Sequence, residues 1–166
     1  MSSIVPSADA TNQAVRKQLI QFLRGGHAHA TFDEAVKDLP AELRGVVPEK
    51  LPYSIWQLVE HIRIAQNDIL EFSRDATYQS PPWPEGYWPK ETAPAGDALW
   101  EAALDQIRKD RDAFIALLTD PDHDLYTPFA HGKGQNLLRE ALLIVDHTSY
   151  HTGEILVIRR LLGAWK

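Results

Sequence analysis

The sequence contains no cysteine, so disulfides, thiol nucleophiles and thiolate zinc sites are excluded together. Basic residues are few, with 17 Lys and Arg against 23 Asp and Glu and a net charge of −6. Because they form no cluster, we expect neither a nucleic-acid partner nor an anionic-membrane surface. No apolar run reaches the length of a membrane-spanning helix, and residues 1–6 lack signal-peptide character. We therefore expect a cytoplasmic protein.

The residues that are present fit one globular domain over residues 1–166. Hydrophobic residues make up 44% of the chain and charged residues 24%, which is ordinary for a folded domain of this length. Apolar side chains recur with the helical period in four long segments, and no convincing strand pattern is found. The sequence therefore predicts an all-α protein, a four-helix bundle with one short extra helix.

Start and stop signals bound the helices. Long helices are predicted over residues 7–24, 54–74, 97–119 and 136–163, and a short one over residues 31–39. Thr31 with Glu34, and Ser54 with Gln57, have the spacing of capping boxes. Asp97 is the expected cap of the third long helix. Because the connections after the first two long helices are long, we expect crossover loops.

Histidines on two of these helices predict a metal site. His147 and His151 are four residues apart, so one helical turn puts both imidazoles on the same side. His61 lies in the middle of the second long helix, beside its apolar stripe. Helical bundles build metal sites from facing helices, and three imidazoles leave at least one coordination position open. The alternative is that all three are hydrogen-bonded core histidines.

Carboxylates with compatible helical spacing are candidate partners of these histidines. Asp68 and Glu154 are the first candidates, as a fourth ligand or as hydrogen-bond acceptors of the imidazoles, and Glu140 and Asp146 share the spacing. Imidazole suits zinc, nickel, copper and iron, so ligand type does not select the ion.

A proline-rich segment between the second and third long helices carries three aromatic residues, Trp83, Tyr87 and Trp88. Loops of this length are often binding loops or lids. We predict that these aromatics form an apolar lid over a substrate, with the loop residue His131 as a further candidate contact. The alternative for the aromatics is simple packing of the loop onto the bundle.

The segment Ser54 to His61, followed far downstream by Asp146-His147-Thr148-Ser149-Tyr150-His151-Thr152-Gly153-Glu154, resembles the DinB-like superfamily, which includes the YfiT-type proteins. The ending from Arg159 to Trp165 is similar to the close of that family's last helix, so the resemblance covers nearly the whole chain. It implies a four-helix bundle whose His61, His147 and His151 hold a divalent metal. Zinc or nickel is expected first, with iron or manganese as alternatives. It also implies a homodimer.

The resemblance further implies an activity. Many members are similar to thiol-dependent S-transferases that use low-molecular-weight thiols such as bacillithiol or mycothiol. We therefore expect a metal-dependent thiol S-transferase that acts on a small electrophile, with the sulfur supplied by the cosubstrate. Two alternatives stay open: a metal-dependent hydrolase with Glu154 or Asp68 as general base, and a non-catalytic metal-binding or interaction bundle. Glu154 stands where relatives often carry Gln.

Overall fold

The computed structural model describes residues 7–165, and within them all regular structure is helical. The α-helices are α1 Ala8–Arg24, α2 Phe32–Val36, α3 Ile55–Arg74, α4 Asp97–Thr119 and α5 Leu137–Leu161. Two short 3-10 helices, Ala41–Leu43 and Glu85–Tyr87, lie in the connections. The predicted all-α helical bundle is confirmed. None of the helices in residues 7–165 has the length and apolar character needed to cross a membrane.

The predicted start signals form as hydrogen bonds. The Ser54 side chain accepts from the Gln57 backbone N–H at 3.2 Å, and the Gln57 side chain accepts from the Ser54 N–H at 3.1 Å. Thr31 and Glu34 make the same reciprocal pair ahead of α2. Each box satisfies backbone donors that a helix start otherwise leaves without partners.

Three predicted boundaries are wrong by a few residues. Helix α2 ends at Val36 and not at residue 39, because Lys37 is extended and Asp38 has a φ of 52°. Asp97 is the first residue of α4, and Gly96 is its N-cap without a side-chain hydrogen bond. Helix α5 ends at Leu161, because Gly163 has a φ of 70° and turns the chain.

The four long helices form a square in which α4 and α5 each contact both α1 and α3. Helix α3 runs parallel to α4, since Trp56 lies beside Trp100 and Gln66 bonds the carbonyl of Ile107 further along both helices. It runs antiparallel to α5, since its first turns face the second half of that helix. Parallel neighbours require a connection that returns along the bundle. The predicted crossover loops follow from this arrangement.

The crossover over residues 75–96 returns along α3. The Tyr87 hydroxyl bonds Asp68 in the second half of α3, Trp88 lies on His61, and the carbonyl of Thr92 accepts from the Ser54 hydroxyl at the start of the helix. The loop therefore contacts α3 in reverse order of sequence. This return path brings the aromatic segment to the predicted metal site.

The core consists of two apolar clusters, one in each half of the bundle. The first packs the start of α3 and α4 against the end of α5, with Leu58 and Ile155 fully buried. The second packs α1 and the end of α4 against the start of α5, with Phe114 and Ala141 fully buried. The histidines lie where the two clusters meet.

Candidate metal centre

The antiparallel contact of α3 and α5 brings the three predicted histidines together. One ligand atom from each of His61, His147 and His151 lies within 4.8 Å of those of the other two. The Nε2 atoms of His61 and His147 are 3.0 Å apart. Helical periodicity is the cause, because His147 and His151 share one face of α5 and that face is turned towards α3.

The partners of two of these rings set their tautomers. His61 Nδ1 is 2.8 Å from the carbonyl oxygen of Tyr87, and His151 Nδ1 is 2.6 Å from a carboxylate oxygen of Glu154. Since both partners can only accept, each Nδ1 carries the proton in the neutral ring and each Nε2 keeps its lone pair. This is the arrangement of metal-ligating histidines, whose second nitrogen donates to a carbonyl or carboxylate.

Burial keeps His61 and His147 neutral. His61 is 3% exposed and His151 is 7% exposed, while His147 is half-buried. Burial lowers the pKa of His61, against the opposing effect of its bond to the Tyr87 carbonyl. Burial together with the neighbouring His151 and His61 lowers the pKa of His147 to about 3. The neutral imidazole is the form that binds metal ions, so these residues fit a divalent cation.

Glu154 has two hydrogen-bond partners. One carboxylate oxygen accepts from His151, and the other accepts from the hydroxyl of Tyr53, which precedes α3. Burial and this bond raise the pKa of Tyr53, so the phenol remains protonated and donates. The sequence-based reasoning missed Tyr53. Its only signal is that an aromatic residue stands directly before a capping box, a position that often packs against the following helix.

Asp68 is linked to the histidines through Tyr87 and not directly. It accepts from the Tyr87 hydroxyl at 2.7 Å, and the Tyr87 backbone carbonyl in turn accepts from His61. The expectation of a direct contact between Asp68 and an imidazole is therefore replaced by a contact through the loop. Of the other candidates, Glu140 pairs with Arg139 and Asp146 is exposed.

The predicted lid residues divide into two groups. Trp88 stacks on His61, with ring centroids 3.9 Å apart and planes 5° apart, and it also stacks on Tyr53 at 5.7 Å. Trp83 is 73% exposed and meets the edge of Tyr87. Trp88 and Tyr87 are thus part of the wall of the centre, while Trp83 lies outside it.

His131 is not brought to the centre. Its Nε2 atom lies 2.8 Å from the carbonyl oxygen of Phe72, and its ring stacks on Phe129. Phe72 follows His61 by three turns of α3, roughly 16 Å along the helix axis. His131 therefore belongs to the packing of the other half of the bundle.

Comparison with known families identifies the chain. The model of the DinB superfamily matches residues 26–155, a segment that contains all three histidines. No curated protein and no solved structure matches the chain.

Proposed function

The chain belongs to the DinB superfamily, and we propose that it is a divalent-metal-dependent transferase that joins the sulfur of a low-molecular-weight thiol to a small electrophile. The observation that supports this most is the convergence of three imidazoles, two of them fixed through Nδ1, at the junction of two buried clusters. His61, His147 and His151 would hold the ion. Zinc or nickel is the ion proposed first among those that imidazole ligands suit.

A divalent ion bound here supplies positive charge that lowers the pKa of a thiol and makes thiolate available at neutral pH. The chain supplies the geometry. The Tyr87 carbonyl and the Glu154 carboxylate hold the Nδ1 protons of two ligands and so fix both rings. Trp88 covers one face of the His61 ring and keeps water from it. His147 is half-buried and is the most exposed of the three histidines.

The proposed reaction needs no nucleophile from the protein. The thiol loses its proton to solvent, its sulfur forms a bond to the electrophilic carbon, and the leaving group departs with the electron pair of its bond. The absence of cysteine is compatible with this scheme, because the sulfur comes with the cosubstrate.

Hydrolysis has less support. A hydrolase needs a carboxylate that is free to take a proton from water. Glu154 accepts from both Tyr53 and His151, and Asp68 accepts from Tyr87. These bonds favour a positioning role for Glu154, and Asp68, whose second oxygen has no partner in the described part of the chain, reaches the histidines only through Tyr87.

A thiol-consumption assay tests the proposal. Protein purified without a histidine tag and loaded with zinc or nickel is incubated with bacillithiol, mycothiol or cysteine and an alkylating electrophile, and free thiol is followed with time. We expect faster thiol loss than in the protein-free reaction, and the uncatalysed rate for His147→Ala. His131→Ala is the matched control and should retain full activity. The ring of His131 contacts Phe72, which lies roughly 16 Å from His61 along α3. Equal rates for His147→Ala and wild type would contradict the proposal.

A further inference from the structure

A groove lies beside the metal centre, between the residues that precede α3 and the second half of α5. Its volume is about 340 Å³, which is within the range of small-molecule sites, roughly 300 to 1,000 Å³. Leu51, Val157 and Ile158 provide apolar wall, and Tyr53 and Glu154 provide the polar part. Tyr150, with 64% of its surface exposed, stands at the rim. The groove is therefore apolar along its length and polar at one end.

Gly153 keeps this groove open. It lies inside α5, where glycine lowers helix stability relative to alanine. Its backbone is helical, and a Cβ atom built there would meet nothing within 4 Å. Neither a left-handed turn nor a close approach of another chain segment therefore requires glycine at this position. What the missing side chain provides is free space in the groove wall.

The polar end of the groove favours a positive charge. Glu154 is the single charged residue that lines it, and no Lys or Arg is among its lining residues. The rings of Tyr53 and Tyr150 add aromatic faces, which attract cations when these approach over the ring. The Glu154 carboxylate bonds Tyr53 and His151, yet two oxygens offer about four lone-pair sites, so it can accept further bonds.

We propose that this groove binds an apolar small molecule that carries a protonated amine, with the amine at Glu154 and the apolar part against Leu51, Val157 and Ile158. The groove adjoins the histidines, since the Tyr150 ring lies 4.9 Å from the His151 ring. Binding of the amine does not require an ion at the histidines. Failure of this proposal therefore leaves the proposed metal-dependent activity intact. Failure of the proposed activity likewise leaves the amine site intact.

Two probes of similar shape and opposite charge test the charge preference. The full-length protein is titrated with phenethylamine and, separately, with phenylpropionate, and binding is followed by heteronuclear NMR. We expect saturable shifts centred on Tyr150, Gly153 and Glu154 with the amine, and binding of the carboxylate weaker by about tenfold or more. Equal binding of the two probes, or amine shifts elsewhere on the protein, would overturn the proposal.

A groove-filling variant tests the location. Gly153→Leu places a side chain in the free space and raises helix propensity, so the fold should be retained. We expect amine affinity to fall about tenfold or more, with metal content unchanged. The matched control is Leu142→Trp, which adds bulk at a 52% exposed position of the same helix outside the groove, and it should bind as wild type does. Unchanged amine affinity in Gly153→Leu would contradict the proposed site. If that variant misfolds, the comparison of phenethylamine with phenylpropionate on the wild-type protein decides whether the site exists.

Sedimentation separates this proposal from a second copy of the chain in the groove. If another copy covers it, phenethylamine fails to bind and Gly153→Leu lowers the sedimentation coefficient, and that result would overturn the small-molecule site. We expect the sedimentation coefficient to be the same for wild type, Gly153→Leu and Leu142→Trp.

Discussion

Helix α5 carries two basic sites, Arg159 and the histidine cluster, and they differ in the partners of their nitrogen atoms. Arg159 is 5% exposed, and each guanidinium nitrogen donates to a backbone carbonyl, those of Ala35, Lys37 and Ala164, at 2.7 to 3.1 Å. In the histidine cluster, by contrast, the Nε2 atoms of His61 and His147 face each other at 3.0 Å. Backbone carbonyls take up the donors of Arg159, whereas within residues 7–165 His61 and His147 have only each other as partners at Nε2.

The difference separates a structural group from a functional one. The guanidinium of Arg159 joins α5 to the end of α2 and to the C-terminal turn, and four of its five N–H donors are used on those contacts. His61 and His151 use their Nδ1 protons on Tyr87 and Glu154, and the Nε2 atoms of His61 and His147 form a hydrogen bond with each other at 3.0 Å. A divalent ion held by these nitrogens would take the place of that hydrogen bond.

The largest expected effect comes from removing the guanidinium of Arg159. Arg159→Leu leaves the carbonyls of Ala35, Lys37 and Ala164 without their donor, and the Ala35 carbonyl is buried, where a polar group without a partner costs about 1 to 3 kcal/mol. We expect the free energy of unfolding in urea to fall by about 2 to 3 kcal/mol, with metal stoichiometry unchanged in the folded protein. The control is the neighbouring exposed Arg160→Leu, with a change within about 0.5 kcal/mol. Equal decreases in the free energy of unfolding for both variants would contradict the structural role of Arg159.

The next effect concerns the contact that orients His151. Glu154→Ala removes the acceptor of its Nδ1 proton, and loss of such a partner typically lowers metal affinity by about 10- to 100-fold. Competition of the protein with a chromophoric chelator for zinc measures this change. Asp146→Ala removes an exposed carboxylate from the same helix and should leave the affinity unaltered. If both variants bind zinc as wild type does, Glu154 has no part in the centre.

The sequence was sufficient for what depends on helical periodicity. The spacing of His147 and His151 placed them on one face, and the capping pair of Ser54 and Gln57 fixed the start of α3, so the meeting of three histidines could be anticipated. The contacts that orient these histidines could not be predicted from the sequence. The acceptor of His61 is the Tyr87 backbone carbonyl, which every residue type has and no sequence pattern marks.

Two other contacts could not be predicted, because they also depend on the path of the chain outside the helices. The position of Tyr53 against Glu154 depends on how the chain enters α3, and a helical pattern carries no information about that direction. The sequence does not distinguish His131 from the other loop histidines. In the structure its ring packs on Phe72 of α3 and on Phe129 of its own loop, in the opposite half of the bundle. The homodimer and the cytoplasmic location remain predictions.

A smaller effect is expected from pH. The pKa of His147 is lowered to about 3 in the folded chain, below its ordinary value of 6.5, so the unfolded chain binds more protons between these values. Stability of the metal-free protein should therefore fall as pH decreases from about 6.5 towards 3, by at most about 1.4 kcal/mol per pH unit for one proton. Urea unfolding at a series of pH values measures this slope. The slope should be smaller in His147→Leu, and an identical slope would show that His147 is not held neutral by burial.

The central claim is that the histidine cluster binds one divalent ion, and metal analysis of protein purified without a histidine tag tests it most directly. Wild type, His147→Ala and His131→Ala are incubated with zinc or nickel, freed of excess ion and analysed for metal and protein. We expect about one ion per chain in wild type and His131→Ala and none in His147→Ala, with unchanged helical content in all three. Full stoichiometry in His147→Ala, or no bound ion in wild type, would contradict the claim.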